Sequence, residues 1–482
     1  MNTLDPDDWR ELRALGHRML DDMLDDLAGL RAAPVWRRMP DEARAELLGP
    51  LPRAGADPSM VYGDIQRLVL PHLTGNRHPR FMGWVHGGGT AIGMLAEMLA
   101  SGMNANLGGR DHAPIEIERQ VIRWAAEMLG LPAESSGLLV TGTSVANLIA
   151  VLVARTARLG PAVRAEGLRG RRLTAYASAG AHGCIGRAMD MAGLGADGLR
   201  RVAVDRDHRI DPDALARAIA ADREAGMAPF LVVGTAGTVD TGAVDDLDVL
   251  AALCAREGLW FHVDAAFGAL AALAPALRPL LRGIERADSV AFDFHKWGQV
   301  PYEAGCVLVR DPARQIETFA HDADYLRREA RGLAGGAPWP CDLGPDLSRG
   351  FRALKVWMTL RVYGADRLGE VVARCCALAR RLARRVDDTP GLERLAPVAL
   401  NIVCFRVVSG GGDLDRLNAD IVADLQEAGI AAPSTTRIGG RLAIRAAIVN
   451  HRTREDDIDA LVDGVMRMAS MRGAFAVPVP AH

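Results

Sequence analysis

Leu259-Trp260-Phe261-His262-Val263-Asp264-Ala265-Ala266 reads as an apolar strand that ends in an acid and runs into two small residues. On either side the same grammar repeats. Upstream, the helical stretch Leu247–Glu257 follows a strand at Phe230–Gly234, which follows a helix at Pro212–Ala225. Earlier still come strands at Gly137–Thr141, Leu173–Ala177 and Arg201–Val204, and a helix at Ile115–Leu129. Downstream, strands are expected at Ser289–Asp293 and Gly305–Val309. Short apolar strands alternating with longer helices from about residue 86 to 310 imply an α/β fold, a mostly parallel sheet with helices on both faces. The flanks differ. Leu12, Leu15, Met19, Leu20, Met23, Leu24 and Leu27 give residues 7–32 a helical period, and a second helix is expected near Val61–Leu73. This opening segment is too small for its own core and is expected to pack on a partner subunit. After a loop at Asp342–Pro345 and a helix near Ser348–Tyr363, a small α+β unit is expected, with strands near Ile402–Val407 and Arg441–Ile448. The expected division is therefore 1–85, 86–365 and 366–482.

With 482 residues, 49% hydrophobic and 24% charged, the composition is that of a globular protein able to bury a large core and a smaller one. A formal net charge of −3 offers nucleic acid no electrostatic footprint. The longest apolar stretches, such as Gly137 to Ala154, are broken by Thr, Ser and Asn, so no membrane span is expected. Asp5, Asp7, Asp8 and Glu11 stand where a signal peptide would be basic, and the expected location is cytoplasmic. Seven cysteines without a C-x-x-C pair are expected to be reduced thiols, with neither a disulfide framework nor a zinc site.

Of the 57 lysines and arginines only Lys296 and Lys355 are lysines, so chemistry that needs a side-chain amine has two candidates. Lys355, in Phe351-Arg352-Ala353-Leu354-Lys355-Val356-Trp357, falls inside an amphipathic helix and reads as solvated or salt-bridged. Lys296 follows the strand Ser289–Asp293 in Asp293-Phe294-His295-Lys296-Trp297, at the strand end where α/β sheets bind ligands. Partial desolvation there would favour a nucleophilic amine. Asp264 ends its strand in the same way; the residues alone leave open a metal ligand, a helix cap or a partner for a cationic cofactor nitrogen. No third ligand is spaced near His262 and Asp264, so no metal is expected. Ala265 and Ala266 leave room for a flat ring. In Leu139-Val140-Thr141-Gly142-Thr143-Ser144, a strand passes through Gly into a helix whose first amides and hydroxyls suit a phosphate, or are plain caps. His182, after the strand Leu173–Ala177 and among Gly and Ala, has a ring face free to stack. A nucleotide P-loop is absent, Gly193–Gly198 follows no strand, and His86-Gly87-Gly88-Gly89 has no G-x-S-x-G elbow that would make it an esterase loop.

Phosphate cradle, ring stacker, acid and lysine occur in that order, and with them the sequence resembles the group II pyridoxal-phosphate decarboxylases, the family of aromatic-amino-acid, histidine and glutamate decarboxylases. The resemblance runs from His78-Pro79-Arg80-Phe81 through His262-Val263-Asp264-Ala265-Ala266 and His295-Lys296-Trp297 to Leu442–Thr453. It implies an aspartate-aminotransferase-like, fold type I homodimer that uses pyridoxal 5'-phosphate to decarboxylate an L-amino acid. By the same resemblance Lys296 attaches the cofactor, Asp264 pairs with its pyridinium nitrogen, His182 stacks on its ring and Thr143 and Ser144 hold its phosphate. Thr235, Ala266, Asp293 and His295 complete the expected cofactor set. Phe81, Trp84, Asn106, Arg110, His112, Tyr325 and Arg445 are the substrate-side candidates. The sequence departs from the family in one place: the loop before the R-F-R-x-L-K-like helix reads Ala337-Pro338-Trp339-Pro340-Cys341-Asp342, without the tyrosine that protonates Cα in typical members. An aldehyde synthase on the same scaffold and an aminotransferase are the rival readings.

Overall fold

The computed structural model describes residues 3–321, 327–408 and 412–475. In chain order its strands are β1 Phe81–Met82, β2 Ser136–Val140, β3 Leu173–Ser178, β4 Leu199–Val202, β5 Ala228–Thr235, β6 Trp260–Asp264, β7 Ser289–Asp293, β8 Gly305–Val309, β9 Leu392–Arg394, β10 Ile402–Val407, β11 Ala432–Ile438 and β12 Arg441–Ala447. Seven of them form the large sheet in the order β2-β8-β7-β6-β5-β3-β4, parallel throughout except for β8, which runs against both β2 and β7. Along β8 alternate side chains serve opposite faces: Cys306 and Leu308 join the principal core, whereas Val307 and Val309 pack with Ile149 and Val153 of the helix Thr143–Leu159. Because both faces are covered, the strands inside the sheet are near-continuous apolar runs, whereas β4 at its edge carries Arg200 and Arg201. The family's α/β, fold type I architecture is therefore what the chain adopts.

The register sets up the site. Thr235 pairs with Asp264, Asp264 with Ala291, and Gly305 with both Asp293 and Val140, so the carboxyl ends of β5, β6, β7 and β2 lie side by side. Gly305 is required there, since a Cβ would sit 2.4 Å from Gly142 Cα where β2 turns into its helix.

The second sheet, β1-β11-β12-β10-β9, takes four of its five strands from residues 392–447 and is backed by the helices Ala365–Asp387, Leu414–Glu427 and Glu455–Met471. Three of its strands escape the sequence pattern. β11, Ala-Pro-Ser-Thr-Thr-Arg-Ile, is polar and holds Pro433, which a strand tolerates because its outer neighbour, β1, is only two residues long. β1 closes the first 85 residues by joining this sheet in parallel through Phe81 and Ala432. Lys355, rather than solvated, is buried and salt-bridged to Glu97 at 3.0 Å. Among the described residues no helix is long and apolar enough to cross a membrane, no group of residues could hold a metal ion, and the seven cysteines are unpaired.

Candidate active site

A cavity of about 610 Å3 opens at the carboxyl ends of β5, β6 and β7, against the first turn of the helix Thr143–Leu159. At its floor Asp293, the last residue of β7, takes two roles. Its Oδ1 accepts the Thr143 amide at 2.8 Å and its Oδ2 accepts the Thr143 hydroxyl, so it caps the helix. The same Oδ2 lies 2.7 Å from Lys296 Nζ, which is also 3.4 Å from Thr143 Oγ1. The lysine is thus held at the mouth of a helix N-terminus, beside Ser144, where amides and the helix dipole favour an anion. His295 accepts the Ala304 amide on Nδ1 at 3.0 Å, and burial, reinforced by Lys296, holds its imidazole below the usual range.

Asp264 faces this cluster from the end of β6. Burial pushes its carboxyl up, while Lys296, the Ala266 amide (3.1 Å) and the Asn147 side-chain amide (3.1 Å) pull it back. A relay stands behind it. Trp260 Nε1 donates to Ser289 Oγ at 2.8 Å, Ser289 lies 2.9 Å from His262 Nδ1, and His262 Nε2 lies 2.7 Å from Asn147 Oδ1. Because Asn147 Oδ1 only accepts, His262 Nε2 carries a proton, while Nδ1 faces both the Ser289 hydroxyl and, at 3.1 Å, the Ser289 carbonyl. Burial drives His262 down to about 4, so it stays neutral. The relay turns Asn147 so that its NH2 points at Asp264. His262, weighed in sequence as a metal ligand, is instead part of the support of the acid.

The other cofactor candidates line the same cavity. His182 is exposed with Nδ1 accepting the Cys184 amide at 3.2 Å, leaving its ring face free. Ala266 leaves the wall flat. Thr235 is placed by Asp245, whose Oδ2 accepts its amide at 2.8 Å; its own Oγ1 is buried and, among the described residues, has no partner. That orphan hydroxyl, the buried acid lacking a cation in contact, and the amine beside a helix N-terminus are the complementary groups of a pyridoxal phosphate: ring substituent, ring nitrogen, aldehyde and phosphate. The residues fit the group.

Not all the substrate-side candidates converge here. Trp84 lines the cavity, with Phe81 behind it (ring centroids 6.2 Å apart). Arg445 stays outside, buried, and donates to Val239 O (2.8 Å), Trp84 O and Ser434 Oγ (both 3.2 Å), so it pins two of the cavity's walls. Asn106, Arg110 and His112 lie elsewhere. Asn106 Oδ1 accepts the amides of Gly108 and Arg349, His112 Nε2 lies 3.2 Å from Asn106 O, and Arg110 stacks over Trp339 at 4.6 Å. Tyr325 falls outside the described residues. Among the lining residues outside the expected set are His86, which the sequence offers only as part of a glycine string, and Tyr302 and Glu303, which it does not mark. His86 stacks on Trp84 (5.9 Å), meets Tyr302 edge-on (5.8 Å), and is held below the usual range by burial and Lys296. Glu303 is tied to Arg352 at 2.6 Å. The string His86-Gly87-Gly88-Gly89 brings His86 to the cavity: a Cβ on Gly87 would sit 2.4 Å from the carbonyl oxygens of both His295 and Lys296, so this strap crosses directly over the lysine turn.

Comparison with known proteins agrees with this geometry. Residues 40–408 match the model of the pyridoxal-dependent decarboxylase conserved domain. An aromatic-L-amino-acid decarboxylase of Bacillus atrophaeus is 33% identical over 93% of both chains. An L-2,4-diaminobutyrate decarboxylase of Rhizobium meliloti is 32% identical over 87% of this chain and 83% of that one. The crystal structure of Oryza sativa TDC with PLP and tryptamine superposes with a TM-score of 0.90 at 28% identity, covering 98% of this chain and all of the other. The chain belongs to the pyridoxal-dependent decarboxylase family and is a pyridoxal-phosphate-dependent carboxy-lyase acting on an amino acid.

Proposed function

We propose that Lys296 is the amine that binds the cofactor covalently and that Asp264 holds the proton on its ring nitrogen. The observation that carries this reading is that the structure's one amine at a strand end and its relay-supported buried acid face each other across a single cavity. Pyridoxal phosphate, when bound, supplies the electron sink that accepts the pair left by the departing CO2. Thr143 and Ser144, at the helix N-terminus, receive the phosphate, while His182 covers one face of the ring. Asp264 keeps the ring nitrogen cationic because an uncompensated carboxylate at full burial is costly, and a cation beside it relieves that cost. His295 and Asp293 orient Lys296. Release of an amine requires a proton at Cα; His182, which is exposed and lines the cavity, is the first candidate donor, and Tyr325 is the second.

The substrate is an L-amino acid whose side chain is planar and carries a hydrogen-bond donor. Trp84, His86 and Tyr302 offer the cavity ring faces and edges, and Glu303 an acceptor. The active unit is a homodimer: the helix Ala91–Met103 is strongly apolar yet buries only Gly93 and Ala96, leaving Met98, Leu99 and Met103 exposed. Light scattering of the holoenzyme should give twice the chain mass. Incubating the holoenzyme with each common amino acid and following CO2, amine, ammonia and peroxide tests the reaction. The expected result is one equivalent of amine per CO2. Oxygen uptake with aldehyde, ammonia and peroxide, which the absence of tyrosine from the described residues 327–342 leaves as the rival, would make the enzyme an aldehyde synthase.

A further inference from the structure

On the seam between the helices Ala365–Asp387 and Glu455–Met471, arginines and acids alternate at helical spacing. Arg381 meets Glu455 at 3.1 Å and Asp459 at 2.8 Å; Arg385 meets Asp459 at 3.6 Å and Asp463 at 2.8 Å. Toward the other end of the seam the pattern breaks. The chain facing Arg374 is His451-Arg452-Thr453-Arg454, and a cleft of about 700 Å3 opens between them, flanked by Arg31 and Arg384. Arg31 is neutralised by Asp457 at 2.9 Å, with Asp456 at 3.8 Å, and Glu455, the one carboxylate among the described residues that line the cleft, is committed to Arg381. Among the described residues the guanidinium groups of Arg374, Arg384, Arg452 and Arg454 have no carboxylate partner, although the Arg454 backbone amide donates to Asp457 Oδ2 at 2.9 Å. The Arg374 guanidinium donates to the His451 carbonyl, and the Arg452 guanidinium to the carbonyls of Gly88 and Gly89, both at 3.1 Å.

Guanidinium groups converging on a cleft repel one another, and Arg452 is also partly desolvated. The neighbouring imidazole registers that field: burial together with Arg452, Arg374 and Arg367 drives His451 down to about 4. Several forked donors around one solvent-filled space match the oxygens of a phosphate or carboxylate cluster, which each guanidinium can grip with two parallel hydrogen bonds. We propose that this cleft binds a multivalent oxyanion, a phosphate ester or a polycarboxylate, separate from the cofactor cavity.

The site also has a mechanical link to that cavity. The carbonyls gripped by Arg452 belong to the glycine strap, and His451 Nε2 lies 3.0 Å from Gly89 O as well. On its other side the strap carries His86 into the cavity, presses Gly87 against the Lys296 turn and takes Gln299 Oε1 on the Gly88 amide at 3.2 Å. An oxyanion that draws Arg452 toward the cleft therefore weakens its hold on the strap over Lys296. Binding in the cleft stands independently of the active-site reading; its effect on turnover rests on that reading.

The test is a calorimetric titration of cofactor-saturated enzyme with inorganic pyrophosphate and, separately, with citrate at constant ionic strength. Saturable binding of either at one site per chain is expected, weakened by about tenfold or more in the exposed double variant Arg374→Ala/Arg384→Ala. Which anion binds names the ligand class. In wild type the bound anion should also shift KM or kcat, a shift the double variant loses while its turnover without anion is unchanged. Absence of saturable binding by both anions overturns the proposal. So does binding that survives in the double variant but is lost in Ser144→Ala, which would place the anion in the cofactor cavity.

Discussion

Asp264 and the residues behind it carry the sharpest single-residue expectations. Asp264→Asn keeps the shape and removes the charge, so kcat should fall by about 10^2–10^3, the range for a lost electrostatic stabiliser; near-normal turnover would make Asp264 structural only. His262 adds a pH dependence. Its folded value of about 4 lies below the ordinary 6.5, so between these values the unfolded chain binds a proton that the native chain refuses. The stability it contributes is complete above about pH 6.5 and is lost as pH falls toward 4, by about 3 kcal/mol. His78 and His451, also held near 4, act in the same direction. Urea midpoints should therefore fall through this window, less steeply by roughly one proton in His262→Gln; parallel slopes would contradict the relay. Lys296, Asp264, His182 and the Thr143-Ser144 pair could be singled out in the sequence because each is local: a chemical group at or just past the end of an apolar strand. Asn147 was not, since it reaches Asp264 across 117 residues of sequence. His86, Tyr302 and Glu303 were equally hidden, because what brings them to the cavity is the folding back of the strap and of the turn after Lys296.

At the scale of elements, the strap deserves the direct test. Gly87→Ala places a methyl 2.4 Å from two carbonyl oxygens, neither of them the end of a flexible side chain, so the Lys296 turn must shift. Cofactor content or kcat should drop by about tenfold or more while the folded circular-dichroism spectrum is retained; an unaffected enzyme would show that the strap is free to move. Strands that alternate with helices around β5 to β8 could be read directly, β7 and β8 to the residue, since burial on both faces leaves unbroken apolar runs. β4 begins at Leu199, two residues before the sequence suggests, because Leu199-Arg200-Arg201-Val202 carries two arginines on a strand at the sheet's edge. β1, β9 and β11 gave no such signal: short or polar, they are strands only by virtue of their neighbours in the small sheet.

For the molecule as a whole, the α/β class followed from the alternation of strands and helices along the chain, and the cofactor from the resemblance that the motifs carry. The way the first 85 residues close on the small sheet through β1 did not, since a two-residue strand has no period of its own. The central claim is the covalent attachment of pyridoxal phosphate at Lys296, and the scarcity of lysine makes it unusually direct to test. Reduction of the holoenzyme with borohydride followed by peptide mapping should place one pyridoxyl group on the peptide containing Lys296. The adduct should disappear in Lys296→Ala and persist in Lys355→Met, which keeps most of the buried volume beside Glu97. An adduct on Lys355, or none in wild type under saturating cofactor, would contradict the account.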